Sequence, residues 1–176
     1  MIRRFSLPAV LGLALVAAGP AAAAPTTTQQ FFSARIQADK QTSKDIRSLL
    51  ASGQGFVDKQ VKFRDLTGDG KTDAVVRVQS GGATGAIALY VFSADTGKKG
   101  LRIVFRSEEL ERAETRIRDE VLRYRSARPA PGDEVCCPSA LTESRLRWRD
   151  AKHRFAVVER REVSPGAPWG DQAPAG

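Results

Sequence analysis

The sequence predicts an α+β protein in which a short N-terminal helix packs on a curved antiparallel β-sheet of about six to eight strands. Three observations lead there. From Thr42 to Gly53 apolar residues recur at helical spacing; beyond it the pattern switches to period two and β-branched runs; and those runs are joined by turns too short to hold crossover helices, which makes neighbouring strands antiparallel. The helix opens at Thr42-Ser43-Lys44-Asp45, where Thr42 is placed to accept backbone N–H groups and Asp45 sits near the positive end of the dipole. Ile46, Leu49 and Leu50 share a face, and Gly53 supplies the stop, giving a helix of about ten residues.

The strands follow in order. Val61 to Arg64, Ala74 to Gln79 and Ala86 to Ser93 are bounded by Gly and Asp, and Leu101 to Arg106 comes after a turn at Asp95-Thr96-Gly97. Arg145 to Arg149 places Leu146 and Trp148 on one face; Arg154 to Glu159, after Asp150-Ala151-Lys152, makes the second arm of a hairpin. Tyr90, Trp148 and Phe155 are assigned to the core. Residues 107–125 fit two patterns: Leu110, Ile117, Val121 and Tyr124 suit a helix, whereas Ala113-Thr115-Ile117 and Leu122-Tyr124 suit two strands joined at Asp119-Glu120.

Met1 to Ala23 has the form of a secretory signal peptide, with Arg3 and Arg4, an apolar run from Leu7 to Val16 and small residues at Ala21-Ala22-Ala23. That run is shorter than the roughly 20 residues a membrane span needs, and no second one follows. Cleavage of 23 residues, two of them arginines, leaves 153 residues with 26 Lys+Arg against 20 Asp+Glu, a net charge of +6. This is one domain's worth of chain, able to bury roughly 68–70% of its unfolded surface. Residues 24–30 form a flexible lead, 31–163 the folded domain, and 164–176, with three prolines and three glycines, a disordered tail. The expected product is a monomer in the extracellular, periplasmic or cell-wall space. Its positive charge favours anionic partners such as wall polymers, another secreted protein being the other expected partner. Arginines interleaved with acids from Glu108 to Asp119 lack the cationic blocks and aromatic motifs of nucleic-acid modules.

The sharpest motif is Asp65-Leu66-Thr67-Gly68-Asp69-Gly70-Lys71-Thr72-Asp73. Asp65, Thr67, Asp69 and Asp73 fall at the first, third, fifth and ninth positions of a loop with Gly70 at the bend and the Lys71 carbonyl at the seventh, a spacing that suits weakly bound calcium. Val76 replaces the twelfth-position Glu of an EF-hand. The alternative is a tight turn whose Asp and Thr side chains bond their own backbone. The motif, followed by Ala-Val-Val-Arg-Val, resembles one unit of the FG-GAP calcium-loop repeats. Taken with Gly81 to Gly85, Ala88 to Phe92 and Asp133 to Ser139 ahead of a Trp-bearing strand, the order from Phe56 to Phe155 is similar to the LppP/LprE family of bacterial envelope lipoproteins, without their lipobox cysteine. That resemblance implies a strand-rich 110–125 and brings no activity with it.

Cys136 and Cys137 are the only cysteines and are adjacent. Neighbouring Cα atoms stand about 3.8 Å apart, below the usual disulfide range of about 4.4–6.8 Å, so a bond between them closes a strained ring. The pair is read as a vicinal disulfide or as two buried thiols. No catalytic set emerges: His153, the lone histidine, sits at a hairpin tip; no Gly-x-Ser-x-Gly elbow occurs; and Ser80 to Gly85 precedes a strand, where a phosphate loop would need a helix. The leading expectation is a noncatalytic exported protein. The alternatives are an enzyme inhibitor or a carbohydrate- or wall-polymer-binding module, which needs an exposed aromatic patch, and a small hydrolase, which needs a cleft of carboxylates.

Overall fold

The computed structural model describes residues 25–94, 100–134 and 137–171, so the signal-peptide residues and the Asp95-Thr96-Gly97 turn lie outside the described residues. Two helices, α1 (Thr27–Ala38) and α2 (Lys44–Ala51), precede nine strands: β1 (Phe56–Val57), β2 (Lys62–Arg64), β3 (Asp73–Gln79), β4 (Ala86–Ser93), β5 (Arg102–Ser107), β6 (Glu114–Arg118), β7 (Val121–Arg128), β8 (Ala140–Arg149) and β9 (Arg154–Val163). The α+β class with antiparallel pairing holds. The expected single sheet is instead two: β1-β3-β4-β5, with β2 beside β1 on the β3 edge, and β6-β7-β8-β9. No helix among the described residues is long and apolar enough to cross a membrane.

The lead expected to be flexible contains the start of α1. Thr26 accepts from the Gln29 N–H and the Gln29 side chain accepts from the Thr26 N–H, a reciprocal cap that satisfies two otherwise orphaned donors. Only Phe32 and Ile36 are buried on this helix, one turn apart, which leaves little apolar period to read. At α2 the cap is Ser43, whose Oγ accepts from the Ile46 N–H at 3.3 Å, and not Thr42. Thr42 is buried beside the Tyr90 hydroxyl instead. Glu108 joins the two: it accepts from the Ser43 N–H at 3.0 Å and from the Tyr90 hydroxyl at 2.7 Å, tying the helix start to the sheet.

The first sheet is covered on both faces. Ala88, Tyr90 and Phe92 of β4 and Ala74, Val76 and Val78 of β3 face Phe32, Ile36, Ile46 and Leu50 of the helices. Leu89, Val91 and Val75 alternate to the other side, against Leu122, Tyr124, Leu146, Trp148 and Phe155 of the second sheet. Tyr90, Trp148 and Phe155 therefore do lie in the cores, as expected. The ambiguous stretch resolves as strands over 114–118 and from Val121 on, with 108–113 irregular: Asp119 and Glu120, both at positive φ, make the two-residue turn of a β6–β7 hairpin. The crossing from one sheet to the other is the segment 108–113, stitched to β4 by the Leu110 N–H on the Ile87 carbonyl and the Ala113 N–H on the Ala86 carbonyl.

Candidate anion-binding face

The second sheet has one apolar face and one charged face. Along β8, Ser144, Leu146 and Trp148 turn inward, so Glu143, Arg145, Arg147 and Arg149 turn outward; β7 adds Arg123 and Arg125 to that outer face. Pairing register sets these groups in rows: Arg125 beside Glu143 beside Arg161, Arg123 beside Arg145 beside Glu159, and Arg149 directly opposite Arg154.

At one end every charge is answered. Glu143, only 2% exposed, accepts from Arg125 Nε at 2.8 Å and from Arg161 Nη2 at 3.1 Å. Arg145 pairs with Glu159 at 3.0 Å. Burial by itself raises the Glu143 carboxyl, but the Arg125 hydrogen bonds, the Gly170 N–H and the Arg161 charge outweigh it and hold the group below its ordinary value.

The segment after β9, expected to be a free tail, lies across this end. Arg125 donates to the Ala167 and Pro168 carbonyls at 2.7 Å each, and the Gly170 N–H donates to Glu143 at 3.0 Å. Trp169 places its ring 4.2 Å from the Arg125 guanidinium carbon, while Asp171 meets Arg116 at 3.3 Å and its carbonyl accepts from Arg118. The described residues Ser164 to Asp171 are thus a strap; residues 172–176 lie outside the described residues. Composition could not disclose this, because main-chain groups make most of the contacts.

At the other end the charges are unanswered. Arg147, Arg149 and Arg154 on the strands and Lys152 in the 3₁₀ turn Asp150–Lys152 are exposed, and none makes an ion pair or side-chain hydrogen bond among the described residues. With Asp150, the one acid among its described lining residues, they border an open hollow of about 770 Å³ beside Trp148. Trp148 is pinned there by Phe155, with ring centres 5.1 Å apart, and His153 stands over its edge at 6.4 Å. His153 is exposed at a left-handed φ of 43°, the turn position read for it from sequence.

The acidic glycine loop sits elsewhere, between β2 and β3. Asp65 accepts from the Gly68 and Gly70 N–H groups at 2.7 and 2.9 Å; Asp69 accepts from the Lys71 N–H at 2.8 Å and faces Lys71 Nζ at 3.2 Å; Thr67 donates to Asp69 at 3.2 Å. Asp73 turns inward, fully buried, and accepts from the Leu66 and Thr67 N–H groups at 2.8 and 3.0 Å. Burial raises the Asp73 carboxyl against those hydrogen bonds, whereas the Lys71 N–H lowers Asp69. One oxygen of Asp69 and one of Asp73 accept from their own backbone, and both oxygens of Asp65 do, while no cluster of three or more acidic, His or Cys residues suited to a metal occurs among the described residues.

Of the cysteine pair, Cys136 lies outside the described residues; Cys137 is disulfide-bonded, and its N–H donates to the Glu134 carbonyl. A second hollow, about 420 Å³, opens between the edge strands β5 and β9 and is lined by Gln41, Phe105, Arg106, His153, Arg154 and Val157 among others, with no carboxylate among its described lining residues. No known family, curated protein or solved structure matches the chain. The likeness to the LppP/LprE and FG-GAP patterns accordingly rests on the motif residues alone.

Proposed function

We propose that this is an exported, noncatalytic module that docks on a phosphate- or carboxylate-bearing polymer of the cell envelope through the bare end of the β8–β9 hairpin. The observation that carries this reading is Arg149 directly opposite Arg154, with Arg147 on the same face, none of the three in an ion pair among the described residues and Asp150 the one acid lining the hollow beside them. Like charges opposed across a strand pair cost stability, roughly 0.2–1 kcal/mol, and the same sheet elsewhere answers its arginines with Glu143 and Glu159. A concentrated positive end raises the local concentration of anions and speeds encounter, and salt weakens both effects. Export is supported by the signal-like residues 1–23 and the envelope location by the motif resemblance.

The test is retention on an immobilised glycerol-phosphate polymer compared with a neutral dextran. The expected result is selective retention that fades between low and physiological salt and is lost when Arg147, Arg149 and Arg154 are all changed to Gln. Equal retention of the triple variant defeats the reading.

A second reading has its own observation. Phe31, Phe56 and Phe63 are 44%, 47% and 56% exposed, and Phe31 and Phe63 flank the buried Phe32. Exposed aromatics of this kind suit an inhibitor or sugar-binding surface. Substituting Phe63 by Ser would abolish such binding and leave polymer retention intact.

A further inference from the structure

The strap is a peptide held on a protein surface, and its contacts describe what that surface recognises. Two successive carbonyls, of Ala167 and Pro168, take the two amino groups of the Arg125 fork. The Trp169 ring lies on the guanidinium. The next residue donates its N–H to Glu143 and lies close against the surface: a Cβ at Gly170 would stand 2.5 Å from the Arg161 Nη2 and 2.8 Å from the Glu143 Oε1, so any larger residue makes these side chains or the strap shift. An acid, Asp171, then reaches Arg116. The sequence carbonyl-carbonyl-aromatic-glycine-acid is read by five side chains, Arg116, Arg118, Arg125, Glu143 and Arg161, on four strands.

Two features separate this arrangement from simple tethering of a chain end. First, the strap buries no apolar side chain fully: Pro168 and Gly170 are exposed, Ala167 and Trp169 half-buried, and the most enclosed group is the Asp171 carboxylate, so it is held by hydrogen bonds and ion pairs, not by apolar burial. Such contacts are part-buried, and each gains little net free energy over the bonds its groups would make with water, so a competing group that offers the same partners can replace them. Second, what lies beneath is a desolvated ionic cluster, with Arg125 5% and Glu143 2% exposed. A buried ion pair is a poor way to gain stability compared with apolar packing, and is better suited to specifying a partner. Without the strap, Arg125 would turn two donors and Glu143 one acceptor to solvent, in fixed geometry.

We propose that the outer face around Arg125, Glu143 and Arg161 is a peptide-recognition site, occupied in cis by residues 164–171, which accepts in trans a segment of another exported polypeptide with the same order of aromatic, glycine and acid. The tethered copy sets the threshold. A short linker gives it an effective concentration in the millimolar range, so a competing segment displaces it only when brought close or when it binds more tightly.

The test uses the full chain and a fluorescent peptide, Ser-Pro-Gly-Ala-Pro-Trp-Gly-Asp, read by anisotropy. Gly170→Val sets a branched side chain against Glu143 and Arg161 and is expected to release the strap, read as protease sensitivity after β9, and Asp171→Asn loosens only its end. The Gly170→Val chain is expected to bind the peptide on the order of tenfold or more tightly than the unaltered chain, with Asp171→Asn between them. Adding Arg125→Lys, which removes the fork and the stacked plane, is expected to abolish the gain. A thermal melt of each variant confirms that it is folded; if Gly170→Val is not, Trp169→Ala in the full chain replaces it. Three results overturn the proposal: a folded, strap-released chain that ignores the peptide, equal binding by all chains, or displacement of the peptide by polyglutamate as readily as by unlabelled peptide, which would make the face a plain anion site. Loss of polymer retention by the hairpin variants bears on none of these outcomes.

Discussion

The two sheets meet the same demand, that every buried group find a partner, by different means. The first is mainly apolar on both sides, with helices over one face and the second sheet over the other, and its polar residues form small closed groups, as Glu108 does with Tyr90 and Ser43 and Asp58 with Arg77 and Gln79. The second is apolar inside and ionic outside, with Arg125, Glu143 and Arg161 under a strap at one end and Arg147, Arg149 and Arg154 bare at the other. A two-sided apolar sheet leaves no face to solvent; the second sheet keeps a charged one, covered by the strap at one end and carrying arginines without ion pairs among the described residues at the other.

The sharpest break of this comparison is Glu143→Ala. It strands a buried guanidinium, and removal of one member of a buried ion pair costs about 3–5 kcal/mol. Urea unfolding should show this, and the strap should become sensitive to protease. The same pair gives the pH dependence. Glu143 is held below its ordinary value, so its contribution is present above the unfolded carboxyl range and is lost as pH falls through the lower folded value. Melting temperature should therefore drop on acidification below the ordinary Glu range, and the drop should shrink in Glu143→Gln.

Next in size is Asp73→Ala, which leaves the Leu66 and Thr67 N–H groups without their acceptor, at about 1–3 kcal/mol for the buried donor. Asp73→Asn keeps an acceptor and should cost less. Because burial raises Asp73, its carboxyl contributes most when protonated, so its share is present below the unfolded value and lost as pH rises through the folded one; Asp73→Asn should remove that part of the profile. In the first sheet Tyr90→Phe should cost about 0.5–1.5 kcal/mol, with loosening of the α2 start visible in hydrogen exchange at Ile46.

Smaller and of opposite sign is Arg154→Thr. Relieving the cross-strand repulsion with Arg149 should stabilise by about 0.2–1 kcal/mol while weakening polymer retention. Last is calcium. With Asp73 turned inward and Asp69 facing Lys71, millimolar calcium should leave the melting temperature where it is, and a clear rise would show that the loop reopens around the ion.

The parts of the fold visible in the sequence were those where one period dominates. Ala86 to Ser93 is β-branched and apolar enough to be a buried strand whatever covers it, and Leu146, Trp148 and Phe155 marked the inner face of the later hairpin. The outward arginines of that hairpin were equally readable; which of them would be neutralised was not, because Glu143, Glu159 and Asp171 meet them only through register and the returning strap. Residues 114–125 satisfied helical and strand spacing alike until Asp119 and Glu120 adopted the left-handed conformations of a tight turn. Helix α1 was hidden because two buried side chains and a reciprocal cap are all that hold its pattern. The division into two sheets depends on the path of 108–113, where backbone pairing with β4 decides the route and side-chain pattern has no part in it.

That crossing has a kinetic consequence. On either side of it the strands join mostly to their nearest neighbours in sequence, β3-β4-β5 before and β6-β7-β8-β9 after, so each meander can zip through short-range closures before the two dock. Amide protons of the later meander should then exchange as one cooperative unit, released together when the halves part and ahead of those in β3 and β4.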